Sequence, residues 1–252
     1  MTLEVIAFNI ESCALIEKAG GGRIELCANP PEGGTTVSMG MMKAARKAVS
    51  IPIFPIIRPR GGDFLYNDEE YTIIQDDIRL AKETGMDGVV IGLLNVDGTV
   101  DKSRTARLVE LAYPMEVTFH RAFDRTPDPV QALEDVIQCG CNRILTSGLA
   151  DTALQGLEML QQLVKAADQR IIILPGSGIR SGNIRQLATA TGLQEFHTSA
   201  RTTLFSRMSY ENPGMQESQN SFTVDPAEIT ACVEALSGAG HLLFRNHSGP
   251  GN

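Results

Sequence analysis

Short apolar segments alternate with longer amphipathic ones along most of this chain. The short ones read as strands at Leu3–Phe8, Arg23–Cys27, Ile53–Arg58, Gly88–Leu93, Glu116–Arg121, Arg143–Ser147, Arg170–Leu174 and Glu195–Ser199. Most are rich in Val, Ile, Leu or Phe, as strands covered by helices should be. The intervening patterns are helical, with recognisable ends. Ile10–Ala19 follows the first strand, Ser38 precedes Met39–Val49, and Asp68 precedes Glu69–Thr84, which stops at Gly85. Asp101 precedes Lys102–Ala112, and Asp128-Pro129 puts a cap and a first-turn proline before Val130–Cys139. Thr152 opens a helix to about Ala167, Ser181 one to about Thr191, and Asp225-Pro226 opens Ala227–Leu236.

Eight strands each followed by a helix predict an α/β chain folded as a (β/α)8 TIM barrel, in one domain. The competing open, doubly wound sheet would carry a glycine fingerprint after its first strand, and none follows Phe8. The barrel core runs over 1–204. The stretch 205–224, without apolar periodicity, is expected as a loop over the barrel mouth, 225–236 as the last helix, and 237–252 as a flexible tail or interface arm.

Strand alternation sorts the side chains. In Arg23–Cys27, Ile24 and Leu26 face the helices, so Glu25 and Cys27 face the interior. The same logic turns Glu116, Thr118 and His120 inward from the fifth strand, and Glu195, His197 and Ser199 from the eighth. The mouth thus collects Glu25, Cys27, Arg58, Arg60, Asp63, His120, Arg121, Asp124, Ser147, His197 and Ser199. Ionisable groups there are costly to desolvate unless paired or functional. The plain alternative is a salt-bridge network of Glu25, Arg58 and Asp124 that only closes the barrel.

Two loops suggest anion binding. Arg58-Pro59-Arg60-Gly61-Gly62-Asp63 could clamp a carboxylate or phosphate between two guanidinium forks, or be a tight turn with solvated arginines. Gly176-Ser177-Gly178 follows the seventh strand, where barrels commonly hold phosphate, and Ser147 and Ser199 lie nearby. Glu25, His120, Asp124 and His197 are the candidate acid–base groups.

The net charge of −8 argues against a non-specific nucleic-acid partner. The N-terminus carries no basic segment followed by an apolar run, and no apolar run is long enough to span a bilayer, so neither a signal peptide nor a membrane partner is expected. Five scattered cysteines fit reduced thiols in a cytoplasmic protein. Cys139-Gly140-Cys141 follows a helix and precedes a strand, which puts the pair on the opposite, N-terminal face.

Several segments resemble the CutC copper-homeostasis family. They are Arg23–Cys27, Glu32–Thr36 with Ser38–Gly40, Ile57–Tyr66, Asp77–Lys82, Val117–Asp124, Leu145–Gly148 and Glu195–Ala200. The resemblance covers about residues 3 to 201. It implies a (β/α)8 barrel, a cytoplasmic location, copper tolerance through Cu(I) binding or trafficking, and a homodimer or homotetramer. Cys27 is the one cysteine inside a shared motif, and so the candidate Cu(I) ligand, with His120 and His197 as imidazole partners. On the residues alone, a barrel enzyme acting on a small anionic or phosphorylated metabolite stands beside the copper carrier. A scaffold that only oligomerises would leave the polar mouth unexplained.

Overall fold

The computed structural model describes residues 1–245, with side chains of the last helix to Gly238. The strands of the alternating pattern are β1 (Thr2–Ala7), β2 (Arg23–Leu26), β3 (Ile53–Pro55), β4 (Gly88–Ile91), β5 (Glu116–Phe119), β6 (Arg143–Thr146), β7 (Ile172–Pro175) and β8 (Glu195–Thr198). Their helices are α1 (Ile10–Lys18), α2 (Met39–Ala48), α3 (Asp68–Glu83), α4 (Lys102–Ala112), α5 (Pro129–Gln138), α6 (Leu157–Ala167) and α7 (Ile184–Thr191), followed by α8 (Pro226–Arg245).

All ladders among these strands are parallel, in the orders β3-β2-β1-β8 and β4-β5-β6-β7. The two groups join where Ile56 bridges Val90, with Ile57 N–H donating to Val90 O at 2.8 Å. At the other seam β7 lies against β8 without a ladder among the described residues, and the Thr198 hydroxyl crosses it to Ile179 O at 2.8 Å. Each strand neighbours the next and β8 returns to β1, while the helices pack in sequence from α1 to α8 and back to α1. This is the expected (β/α)8 barrel.

The apolar face of each strand builds the outer core against the helices, with Val5, Ile24, Val117, Ile144 and Phe196 fully buried. Inside the barrel a smaller cluster of Cys27, Phe54, Ile56 and Val90 packs with Ile6 and Phe8. Phe54 is flanked by two guanidinium groups, Arg23 at 5.1 Å and Arg143 at 5.3 Å from its ring centre. Gly88 leaves the space for this ring, because a Cβ there would stand 2.5 Å from it. Arg23 ion-pairs with Glu4 and, at 2.7 Å, with Glu195, and Arg143 reaches Glu195 at 2.9 Å and Glu116 at 2.6 Å. This layer fills the N-terminal end of the barrel.

Several expected boundaries shift. Seven strands end one to three residues earlier than the pattern suggested, so Arg58, His120 and Ser147 stand just beyond a ladder, while the seventh starts two residues later and ends one later, at Pro175. The N-cap of α3 is Asn67 rather than Asp68, because Asn67 and Glu70 complete a reciprocal capping box. The segments opened by Thr152 and Ser181 begin as turns. In the second, the Glu228 carboxylate holds the Ser181 N–H at 2.7 Å and its hydroxyl at 2.9 Å.

The stretch after β8 is not a plain loop. Arg201–Leu204 (β9) and Ser221–Val224 (β10) form an antiparallel hairpin seated on the start of α1, where Asn9 donates to Phe222 O at 2.9 Å. The cavities at the mouth take no lining residue from 205–224. The last helix continues past 236 to Arg245, and the rest of the expected tail, 246–252, lies outside the described residues. No described helix is long and apolar enough to cross a membrane.

Candidate functional site

The strands deliver polar side chains to a cavity of about 380 Å³ at their C-terminal ends. Glu25 from β2 and His197 from β8 lie side by side in its lining, which also takes His120 and Arg58. A shallower groove of about 870 Å³ continues outward, sharing Gly33, Arg58, Phe64 and Arg121 with the inner cavity.

His197 sits between two carboxylates. Its Nδ1 is 2.7 Å from Glu4 Oε1 and its Nε2 is 3.7 Å from Glu25 Oε2, all three groups being buried. Burial opposes the imidazolium charge, but the Glu4 hydrogen bond and the charges of Glu25 and Glu4 outweigh it and raise the pKa. Burial would also raise Glu4, yet the His197 hydrogen bond and the Arg23 charge carry it down to about 2. Glu25 lacks comparable support. Burial and the charge of Glu4 lift it to about 7 against the pull of His197.

His120 is set up in the opposite sense. Ala122 N–H donates to its Nδ1 at 3.1 Å, so the neutral ring carries its proton on Nε2. Burial and the nearby Arg58 charge push its pKa down to about 3. The buried Nε2 has no hydrogen-bond partner among the described residues. Gly92 makes room for the ring, since a Cβ there would stand 2.3 Å from Nδ1.

Arg58 is buried and lines both cavities, but its terminal nitrogens are taken by main-chain carbonyls. Nη1 donates to Glu32 O at 2.6 Å and Gly34 O at 2.9 Å, and Nη2 to Gly62 O at 2.8 Å. Its charge meets no carboxylate within ion-pair distance among the described residues. Arg60 does not join it. That side chain turns outward to Glu70 at 2.5 Å and Asp63 at 3.0 Å and lines neither cavity. The expected two-fork clamp is therefore not assembled.

Asp124 is saturated. It accepts from Thr146 Oγ1 at 2.5 Å, Ser147 N–H and Oγ at 3.0 Å, Leu149 N–H at 3.2 Å and Arg121 Nε at 2.7 Å. Ser147 is consumed in this knot, which ties the turn after β5 to the end of β6. Of the Gly176–Gly178 loop, Ser177 and Gly178 line the inner cavity with Ser199, while Gly176 serves as space, a Cβ there falling 2.6 Å from Leu145.

Cys27 lies beneath the mouth rather than in its lining, covered by Gly34, where a Cβ would come within 3.3 Å of the sulfur. Burial, then the charge of Glu25, pushes its thiol well above the ordinary range. Copper would need a deprotonated thiol and unprotonated imidazole nitrogens. His120 Nδ1 is taken by the Ala122 N–H and its Nε2 could bind only by reversing the tautomer against that N–H, and His197 is flanked by carboxylates on both sides. Among the described residues no three His, Cys, Asp or Glu side chains are grouped to hold a metal ion. The set Cys27, His120 and His197 thus does not fit Cu(I) as arranged.

Glu4, Phe64 and Arg180 also belong to this region and escaped the sequence reading. Glu4 was findable, because it shares the inward phase of β1 with Ile6, opposite Leu3, Val5 and Ala7. Phe64 and Arg180 come from loops, where no periodicity applies.

Residues 1–202 match the CutC family. A mouse relative named "Copper homeostasis protein cutC homolog" is 47% identical over 210 residues, covering 83% of this chain and 77% of its own. The human protein of that name is 46% identical, with the same coverage. The crystal structure of CutC from Streptococcus agalactiae superposes with a TM-score of 0.76 at 32% identity, covering 79% of this chain and 98% of that one.

Proposed function

The chain belongs to the CutC family, and we propose that it serves copper homeostasis through a barrel mouth that performs proton-transfer chemistry on a small anionic molecule. The names of its relatives support the copper role. The observation that carries the chemistry is the Glu25–His197–Glu4 arrangement, with His197 2.7 Å from one carboxylate and 3.7 Å from the other at a cavity of about 380 Å³. Glu4 orients the imidazole and balances its charge, much as a buried acid does in a catalytic triad. Glu25, held near 7, can accept or return a proton at neutral pH. Arg58, Arg121 and Arg180 line the cavity and favour an anion.

Carriage of Cu(I) by Cys27, with His120 or His197, is the second reading; the relatives' names support a copper role, but these side chains would have to rearrange to form a Cu(I) site. A cytoplasmic location is supported by five unpaired cysteines. A homodimer or homotetramer is supported by the exposed Phe205, Met208, Tyr210 and Met215 after β9.

The deciding experiment follows a library of small anionic metabolites by NMR with the parent chain, Glu25→Gln and Cys27→Ser, beside a Cu(I) titration against a competing chelator. Turnover should survive Cys27→Ser and fall at least 100-fold in Glu25→Gln. Tight Cu(I) binding abolished by Cys27→Ser, with no metabolite turned over, would overturn the acid–base reading in favour of the carrier.

A further inference from the structure

The proton-transfer reading leaves one group unused. His120 Nε2–H is a buried donor at the cavity with no partner, in a ring whose other nitrogen is locked by a main-chain N–H. Leaving such a donor unmet is costly unless something else meets it. Beside it lies Arg58, a buried cation without a carboxylate among the described residues, its terminal nitrogens fixed on Glu32, Gly34 and Gly62 carbonyls. Phe64 packs on both, its ring 4.8 Å from the His120 ring and 5.0 Å from the Arg58 guanidinium carbon. The three side chains come from different segments and form one wall of the cavity.

The geometry points to an oxyanion site on this wall: the molecule that enters the mouth presents a planar carbonyl or carboxylate oxygen to His120 Nε2–H, with the fixed charge of Arg58 behind it. The inference rests on the mouth being a small-molecule site. A neutral imidazole is the better donor here, because it polarises a carbonyl without surrendering its proton, a use known from sugar-phosphate isomerisation. The Ala122 N–H on Nδ1 leaves the proton of the neutral ring on Nε2, where it faces no partner. The site is preorganised, since the Ala122 N–H fixes the ring and main-chain carbonyls fix the guanidinium. Two unmet buried donors, His120 Nε2–H and Arg58 Nε–H, with one fixed charge suit a planar oxygen better than a phosphate, which takes several donors at once. The ligand class is therefore a carbonyl compound or carboxylate, and His120 contributes as a donor rather than as a base.

The test uses oxalate as a planar anionic probe, oxamide as its neutral isostere, and inorganic phosphate as the competing class. All are titrated into the full chain with ¹⁵N-labelled histidine. Oxalate should shift the His120 Nε2–H signal downfield and bind at least tenfold tighter than oxamide or phosphate. His120→Asn keeps an acceptor for the Ala122 N–H but withdraws the Nε2 donor, and should weaken oxalate at least tenfold. The parent chain's own signal decides even if that variant does not fold. Oxalate that perturbs His197 or Glu25 while leaving His120 unmoved would overturn the oxyanion site and leave the acid–base mouth standing. Probes that perturb no residue at the mouth would overturn both.

Discussion

The two histidines of the mouth end strands of the same barrel, are almost equally buried, and line the same cavity, yet they are driven in opposite directions. His197 is held by Glu4 at 2.7 Å with Glu25 beyond it, which favours the imidazolium. His120 meets a main-chain donor on one nitrogen and the Arg58 charge nearby, which keeps it neutral. Burial alone would lower both, so the partner decides the sign. One wall of the cavity can hold and move a proton, while the other can only donate a hydrogen bond.

Removing the partner of His197 should have the largest effect. Glu4→Gln leaves Arg23 and His197 facing each other without their shared counter-charge. Breaking a buried ion pair on one side costs about 3–5 kcal/mol, and denaturant unfolding should read a loss of that size. An NMR titration of the surviving folded fraction should show the His197 pKa falling toward that of His120.

Glu25→Gln sharpens the contrast through pH. The carboxyl titrates near 4.5 unfolded and at about 7 folded. Between those values the folded state binds the extra proton, so stability is fully present below about 4.5 and declines as pH rises through 7. One pKa unit is worth about 1.4 kcal/mol, so the decline should be on the order of 3–4 kcal/mol in the parent. The variant should flatten it, as seen in unfolding midpoints at a series of pH values. A slope of the reverse sign would show that Glu25 is stabilised as the anion.

Gly92→Ala probes the other wall with the smallest expected change. The added Cβ would fall 2.3 Å from His120 Nδ1, forcing the ring off the Ala122 N–H. Overpacking costs roughly 1–3 kcal/mol, and the loss of glycine freedom in the unfolded chain offsets part of it, leaving about 1 kcal/mol. The His120 ring nitrogens should lose their fixed tautomer signature in ¹⁵N spectra, while His197 should not move.

The inward phase of the strands makes most of this site legible in the sequence. Glu25, His120 and His197 follow from alternation against Ile24, Phe119 and Phe196, and all three line the cavity. Contacts made by main-chain atoms were not readable. The carbonyls that bind Arg58 and the N–H that locks His120 have no side-chain signature, so Arg58 looked like a free clamp. Arg60 points elsewhere for a different reason: its outward turn is set by the Glu70 carboxylate on the first turn of α3, ten positions away. Asp124 read as reactive, since nothing in its spacing reveals the donors gathered on it from β6 and the loop beyond. The hairpin of β9 and β10 stayed hidden because its strands are short, largely polar and separated by a long excursion.

The aromatic ring of Phe54, clasped by Arg23 and Arg143 and tied through them to Glu4, Glu195 and Glu116, works as a stopper. With its base filled, the inner cavity continues, among the described residues, into the outer groove. A molecule bound in the mouth would pass Arg58, Phe64 and Arg121, where the inner cavity opens into the outer groove, both on entering and on leaving. Traffic at that threshold would be two-way, and a lingering occupant would block the next arrival.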